Sequence, residues 1–352
     1  MPNHFLASGV YGCVYYPGYT CKGVPMKRKK YVSKLTLLND ISQTEIDIGN
    51  ILKKSSHYED NFVLVERQCP IQYKSLTEMK EGCDMAEKKK SFVLLYSRFI
   101  PSKELFEYLK ESTLFVRMFR CFYHLCEKIS ILIQHRIVHH DLHFGNILYG
   151  TETANLYVID FGLSIIVDKL NTSEYLKYIF SRYMPDWNWY PVDIHLICYL
   201  IQHGELSEYV IMNTIDTYLK DHRVFSLFKE YRKEYKRILI EYFLPWARRS
   251  REECLDHLLQ FWNTWDYFDI GLRFLMMYSQ NHIDYPKYLD TLFHMVHPNP
   301  EKRLNVLQLR VHNQKSIQSF ELSSSKSTYH SIDKYLSVSK EKVSKEKDST
   351  KN

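Results

Sequence analysis

Along the chain the spacing of apolar positions changes once, near Pro101. Before it, short alternating runs predict strands at Phe5-Leu6, at Cys13-Val14-Tyr15-Tyr16, and at residues 30–35, 61–66 and 91–96. Gly9 and Gly12 mark the first turn, and Pro17-Gly18 the second. A helix is predicted at residues 40–53, with Ile41, Ile46, Ile48 and Ile51 as its apolar positions. Beyond Pro101, Phe115, Phe119, Phe122, Cys126, Ile129 and Ile133 follow at helical spacing and form one apolar stripe. A short β-like region is predicted at residues 146–149 and 156–159. Helical patterns then fill residues 193–203 and much of 209–280. The expected class is α+β: a small antiparallel β-rich lobe with one helix, then a larger, mainly helical lobe. No internal repeat is evident.

Composition fits such a body. The 352 residues are 45% hydrophobic and 25% charged, a length for about two domains with a sizeable core. With 28 Tyr and 19 Phe but few Gly and Pro, most of the chain is neither disordered nor low in complexity. The end differs. From Ser323 to Asn352 nine Ser and seven Lys stand with four acidic residues, so residues 313–352 are expected to be a disordered tail. That stretch carries half of the net charge of +6, which leaves little reason to expect a nucleic-acid partner. No apolar run of about 18 residues predicts a membrane span, and Met1-Pro2-Asn3-His4 does not read as a secretory signal. Eight cysteines without a C-x-x-C pair predict reduced thiols, no zinc and a cytoplasmic location. Lys27-Arg28-Lys29-Lys30 reads as a solvated turn in preference to a nuclear-import signal.

The chemistry concentrates in Val138-His139-His140-Asp141-Leu142-His143-Phe144-Gly145-Asn146 and in Ile159-Asp160-Phe161-Gly162. Asp141 and Asn146 are five apart across a glycine-containing loop, and Asp160 ends an apolar strand that a hairpin return brings alongside. Two carboxylates and an amide oxygen suit Mg²⁺, which keeps waters and takes phosphate oxygens as further ligands. The four histidines from His135 to His143 lie in a loop, where i, i+4 spacing does not make a metal site.

These segments resemble the eukaryotic-type protein kinase superfamily, whose pattern is H-R-D-L-x-x-x-N followed by D-F-G. The resemblance extends over residues 6–310 and implies a bilobal fold, with a small lobe at 1–97 and a larger one at 98–312. It implies that Asp141 is the base toward a substrate hydroxyl and that Asn146 and Asp160 hold Mg²⁺ on ATP. Leu6-Ala7-Ser8-Gly9-Val10-Tyr11-Gly12-Cys13-Val14 resembles the glycine-rich phosphate loop, with Ala7 in place of the first glycine; alone, it would read as a plain hairpin turn. Lys34 resembles the strand lysine that grips the phosphates, with Lys30 as its competitor. Glu45 is the expected partner on the next helix, with Asp47 as its competitor. Asp193-Ile194-His195-Leu196-Ile197 resembles the helix that anchors the catalytic loop. Arg303 resembles the family's closing arginine, and Met184-Pro185-Asp186 its acidic counterpart region.

Two departures carry information. His140 replaces an arginine that receives an activation-segment phosphate, and imidazole cannot fork a phosphate as guanidinium does. Activity is therefore expected not to need phosphorylation of Thr172 or Ser173. His143 replaces the lysine usual in serine/threonine kinases, and Asp-Leu-His is also how aminoglycoside- and choline-kinase-type enzymes read. The expected function is a monomeric protein serine/threonine kinase acting on proteins with ATP and Mg²⁺. A small-molecule phosphotransferase and a nucleotide-binding pseudokinase scaffold are the alternatives. With only four alanines, the chain also looks like kinases carried by large DNA viruses of eukaryotes.

Overall fold

The alternating N-terminal runs form a five-stranded antiparallel sheet in the computed structural model, which describes residues 5–76, 79, 83, 91–110, 115–281, 283, 285–310 and 312. Its strands are β1 (Phe5–Gly9), β2 (Gly12–Tyr15), β3 (Tyr31–Leu37), β4 (Arg67–Ile71) and β5 (Phe92–Arg98), in the order β1-β2-β3-β5-β4. Strand β3 is central: Lys34 stands between Val14 of β2 and Leu95 of β5. Strand alternation decides what each face does. Leu35 joins Cys13, Tyr15, Leu94 and Tyr96 in one apolar cluster. Leu95 and Val93, on the other face, meet Ile46 of α1 (Asp40–Leu52). Lys34 shares that second face, so its ammonium is aimed toward α1. Asn39 starts the helix with a capping box, accepting from the Ser42 amide at 3.2 Å while Ser42 Oγ accepts from the Asn39 amide at 3.1 Å.

The strand expected at residues 61–66 is displaced. That stretch forms no strand beyond the bridge of Phe62 to Val158, and the sheet strand begins only at Arg67. Pro70 interrupts the strand signal, and it is tolerated because β4 lies at the sheet edge.

The second lobe is helical. It contains α2 (Leu105–Lys110), α3 (Phe115–Gln134), α4 (Ser173–Ile179), α5 (Val192–His203), α6 (Glu208–Lys220), α7 (Lys229–Phe243), α8 (Arg251–Leu259), α9 (Trp265–Gln280) and α10 (Pro286–Met295). Its short strands are β6 (Ser102–Glu104), β7 (Ile137–Val138), β8 (Ile147–Gly150), β9 (Leu156–Val158) and β10 (Ile165–Ile166), paired as β6-β8-β9 and β10-β7. The aromatic stripe of α3 is buried at Phe119, Phe122, Cys126 and Ile129. It packs on α9, where the Phe122 and Phe274 rings lie 5.1 Å apart and Tyr267 donates to the Cys126 carbonyl at 3.2 Å. The architecture is thus α+β and bilobal, as in protein kinases. No helix among the described residues is long and apolar enough to cross a membrane.

The cysteine reading needs correction. Cys13 is bonded to Cys83 and Cys21 to Cys69, whereas Cys121, Cys126, Cys198 and Cys254 are free and buried. The bonded partners lie 70 and 48 residues apart. Folding of the small lobe brings them together, and no sequence spacing announces that. The inference from thiols to a reducing compartment therefore loses its basis. The tail expected to be disordered, residues 313–352, lies outside the described residues.

Candidate active site

Lys34 Nζ donates to two carboxylates, Glu45 Oε2 at 2.9 Å and Asp160 Oδ1 at 2.7 Å. Burial alone would lower its pKa, but the two carboxylates outweigh it and hold the ammonium above the ordinary lysine range. Glu45 is pushed up by burial, with Lys34 opposing. Asp160 goes the other way, because Lys34 and the Gly162 amide outweigh its burial. The competing residues sit elsewhere. Lys30 is exposed beside the Tyr31 ring, and Asp47 pairs with Lys169 at 3.0 Å.

The loop from Leu6 to Val14 is the β1–β2 hairpin, with Ala7 opposite Val14, Ser8 opposite Cys13 and Gly9 opposite Gly12. Val10 at its tip is 84% exposed, and the Tyr11 carbonyl accepts from Thr36 Oγ1 at 2.7 Å, which ties the hairpin to β3. A Cβ on Gly12 would lie 2.8 Å from the Leu35 carbonyl oxygen and 3.2 Å from Lys34 Cγ, so only glycine lets the hairpin close over Lys34. Cys13 contributes backbone alone, because its side chain is buried in a disulfide.

Asp141 and Asn146 come together as expected. Asn146 Nδ2 donates to the Asp141 carbonyl at 2.9 Å and to its Oδ2 at 3.2 Å. No described group donates to the Asn146 amide oxygen. His143 Nδ1 accepts the Gly145 amide at 3.0 Å, so its proton sits on Nε2, 3.8 Å from Asp141 Oδ2. The Asp160 segment is stitched alongside: the Ile159 amide donates to the Asn146 carbonyl at 3.0 Å, and His139 Nε2 to the Ile159 carbonyl at 2.9 Å. His140 and Asp160 both have left-handed backbones, with φ of 65° and 60°. Such strain persists only where surrounding bonds over-determine it.

Those bonds come from a residue that sequence reasoning missed. Asp266, at the start of α9, accepts the His139 amide on Oδ2 at 2.7 Å and the His140 amide on Oδ1 at 2.9 Å. Burial pushes its carboxyl up to about 7, against the pull of the two amides. One turn on, Asp269 pairs with Arg273 at 2.8 Å; burial pushes its carboxyl up to about 6, Arg273 opposing. The helix expected to anchor the catalytic loop, at Asp193, does a different task. Asp193 is the acid that meets Arg303, at 2.6 and 3.1 Å, and it also accepts from Trp265 Nε1 at 2.9 Å. Asp186 does not fill that place. A signal for Asp266 was present: between Trp265 and Tyr278 the charged residues are Asp266, Asp269 and Arg273, at i, i+3 and i+7 on one face of an apolar helix.

His140 is unavailable as a phosphate receptor. Its ring stacks on Tyr190 at 4.4 Å, its Nδ1 is buried without a partner among the described residues, and burial lowers its pKa to about 3. Of the tryptophans, Trp265 is buried in the core while Arg273 lies over Trp189, in keeping with packing.

A family model described as the ABC1 atypical kinase-like domain matches residues 96–190. The matched stretch contains Asp141, Asn146 and Asp160 but neither Lys34 nor Glu45. Together with the bilobal fold, it places the chain in the protein-kinase-like superfamily. No curated protein matches the chain.

Proposed function

We propose that this chain is a protein kinase that transfers the γ-phosphoryl group of ATP to serine or threonine hydroxyls of proteins. One observation carries the reading: Lys34 is bridged to Glu45 and Asp160, and the Ile159–Asn146 hydrogen bond sets the Asp160 segment beside an Asp141 carboxylate held by Asn146. A scaffold has no need of the base, the cation-binding set and the phosphate-gripping lysine together.

The donor set fits Mg²⁺. Asn146 spends its N–H group on Asp141 and keeps its oxygen, while the Asp160 side chain is 37% exposed and held ionised. Bound there with ATP, the ion neutralises charge on the transferring phosphates. Lys34 donates to phosphate oxygens, with Glu45 fixing its direction. Backbone amides of the Gly9–Gly12 turn cover the phosphates. Asp141 orients the substrate hydroxyl and accepts its proton as the oxygen–phosphorus bond forms and the bond to ADP breaks. Catalysis rests on positioning and charge stabilisation.

A second reading, transfer to a small-molecule hydroxyl, is favoured by the match of residues 96–190 to an atypical kinase-like domain and by His143 beside Asp141. Labelled ATP with Mg²⁺ and a mixed protein substrate, run beside Asp141→Ala, separates the two. Label on serine or threonine that disappears in the variant supports the protein kinase. Nucleotide binding without labelled protein contradicts it.

A further inference from the structure

Between Asp193, which meets Arg303, and Asp266, which holds the catalytic loop, the chain makes an excursion through α5–α8. A cavity of about 730 Å³ opens on it between α6 and α7. Lys220, Lys229, Arg232, Lys233 and Lys236 line this groove, against a single lining carboxylate, Asp216. Lys236 meets Asp216 at 2.6 Å and Lys233 meets Glu230 at 3.3 Å, whereas Lys220 and Lys229 have no ion-pair partner among the described residues. Arg232 Nη2 donates to the Leu219 and Lys220 carbonyls, which fixes the guanidinium while its Nε and Nη1 donate to no described group. A cation already held in place spends little further entropy on binding an anion.

The rest of α7 is balanced, since Arg237 is matched by Glu234 and Glu241 at 2.6 and 2.7 Å. The excess of positive charge is therefore confined to the concave face. We propose that this groove docks an Asp/Glu-rich segment of the protein that the kinase phosphorylates, which rests on the function proposed above. A nucleic-acid track needs cations spread along a strand and aromatic faces for bases; here the cations converge on one groove, and no aromatic side chain is among the described residues that line it. The chain's own residues 323–352 carry seven Lys and four acids, the wrong sign to fill the groove.

The test is fluorescence anisotropy of a fluorescein-labelled oligo-glutamate peptide with the full chain, beside a Lys220→Glu/Lys229→Glu variant. Both positions are exposed, so the variant is expected to melt at the native temperature. The expected result is saturable binding that weakens with salt and falls by roughly tenfold or more in the variant. On a protein substrate bearing an acidic segment, KM should rise in the variant while kcat holds. Absence of peptide binding at low salt, equal binding by the variant, or displacement of the peptide by an oligonucleotide that binds more tightly overturns the docking site. Peptide binding that the variant loses, in a chain that labels no protein, keeps the acidic docking site and overturns the kinase reading instead.

Discussion

The Asp141 carboxylate is 32% exposed, open enough to meet a hydroxyl yet bracketed by the Asn146 amide and the His143 imidazole. Removing it by Asp141→Asn should lower kcat by roughly 10²–10⁴-fold. The melting temperature should hold, because the side chain is not part of the core; a collapsed melting temperature would mean that Asp141 serves the fold. Lys34→Met should mainly weaken nucleotide binding, since it strips the ammonium from two acids and from the phosphates. His140 makes a different prediction. With its ring against Tyr190, it offers no guanidinium to a phosphate, so phosphatase treatment or Thr172→Ala/Ser173→Ala should leave the phosphorylation rate within about twofold of the native chain. A strong rise on phosphorylation of that segment would contradict it. The contacts that bring Lys34 to Glu45 and Asp160, and Asp141 to Asn146, were legible, the second pair from one short loop pattern and the first only against the competitors Lys30 and Asp47.

Elements that act across long separations were less legible. Strand β3 and helix α1 could be read locally, since alternation and a capping box write themselves into a few neighbouring residues. Helix α9 could not be assigned its task, because Asp266 meets the catalytic loop across 126 residues and only the folded lobe makes them neighbours. Asp193 was misread for the same reason: its partner Arg303 lies 110 residues away. These anchors predict separable defects. Asp266→Ala leaves the His139 and His140 amides without acceptors, at about 1–3 kcal/mol each, and frees a strained backbone. It should therefore lower kcat more than it raises KM for ATP, read from steady-state kinetics. Arg303→Ala instead strands a carboxylate whose side chain is 0% exposed, costing about 3–5 kcal/mol. That change should appear first as a lower melting temperature, and an unchanged one would show that the pair is dispensable.

At the scale of the whole molecule, covalent and protonic balance differ between the lobes. The two disulfides close loops of 70 and 48 residues in the small lobe, and each should add about 4 kcal/mol by restricting the unfolded chain. Dithiothreitol should therefore lower the unfolding temperature. The protonic balance lies mainly in the helical lobe. Burial lowers His124 and His195 to about 4, and His140 and His222 to about 3, from the ordinary 6.5. Between pH 6.5 and about 4 the unfolded chain thus takes up four protons that the folded chain refuses, and stability falls as pH falls. Asp266 and Asp269 oppose this, since their carboxyls, at about 7 and about 6, hold protons in the folded state that the unfolded chain releases above the ordinary 3.8. Burial also lowers His139, His257 and His297 and raises Glu45, so the shifted imidazoles outnumber the shifted carboxyls and stability falls as pH falls through this range. Unfolding temperatures measured from pH 7 downward should stay level to about 6.5 and then drop steeply, and His222→Asn should make the drop shallower by about one proton. A flat profile would mean that these imidazoles are open to water.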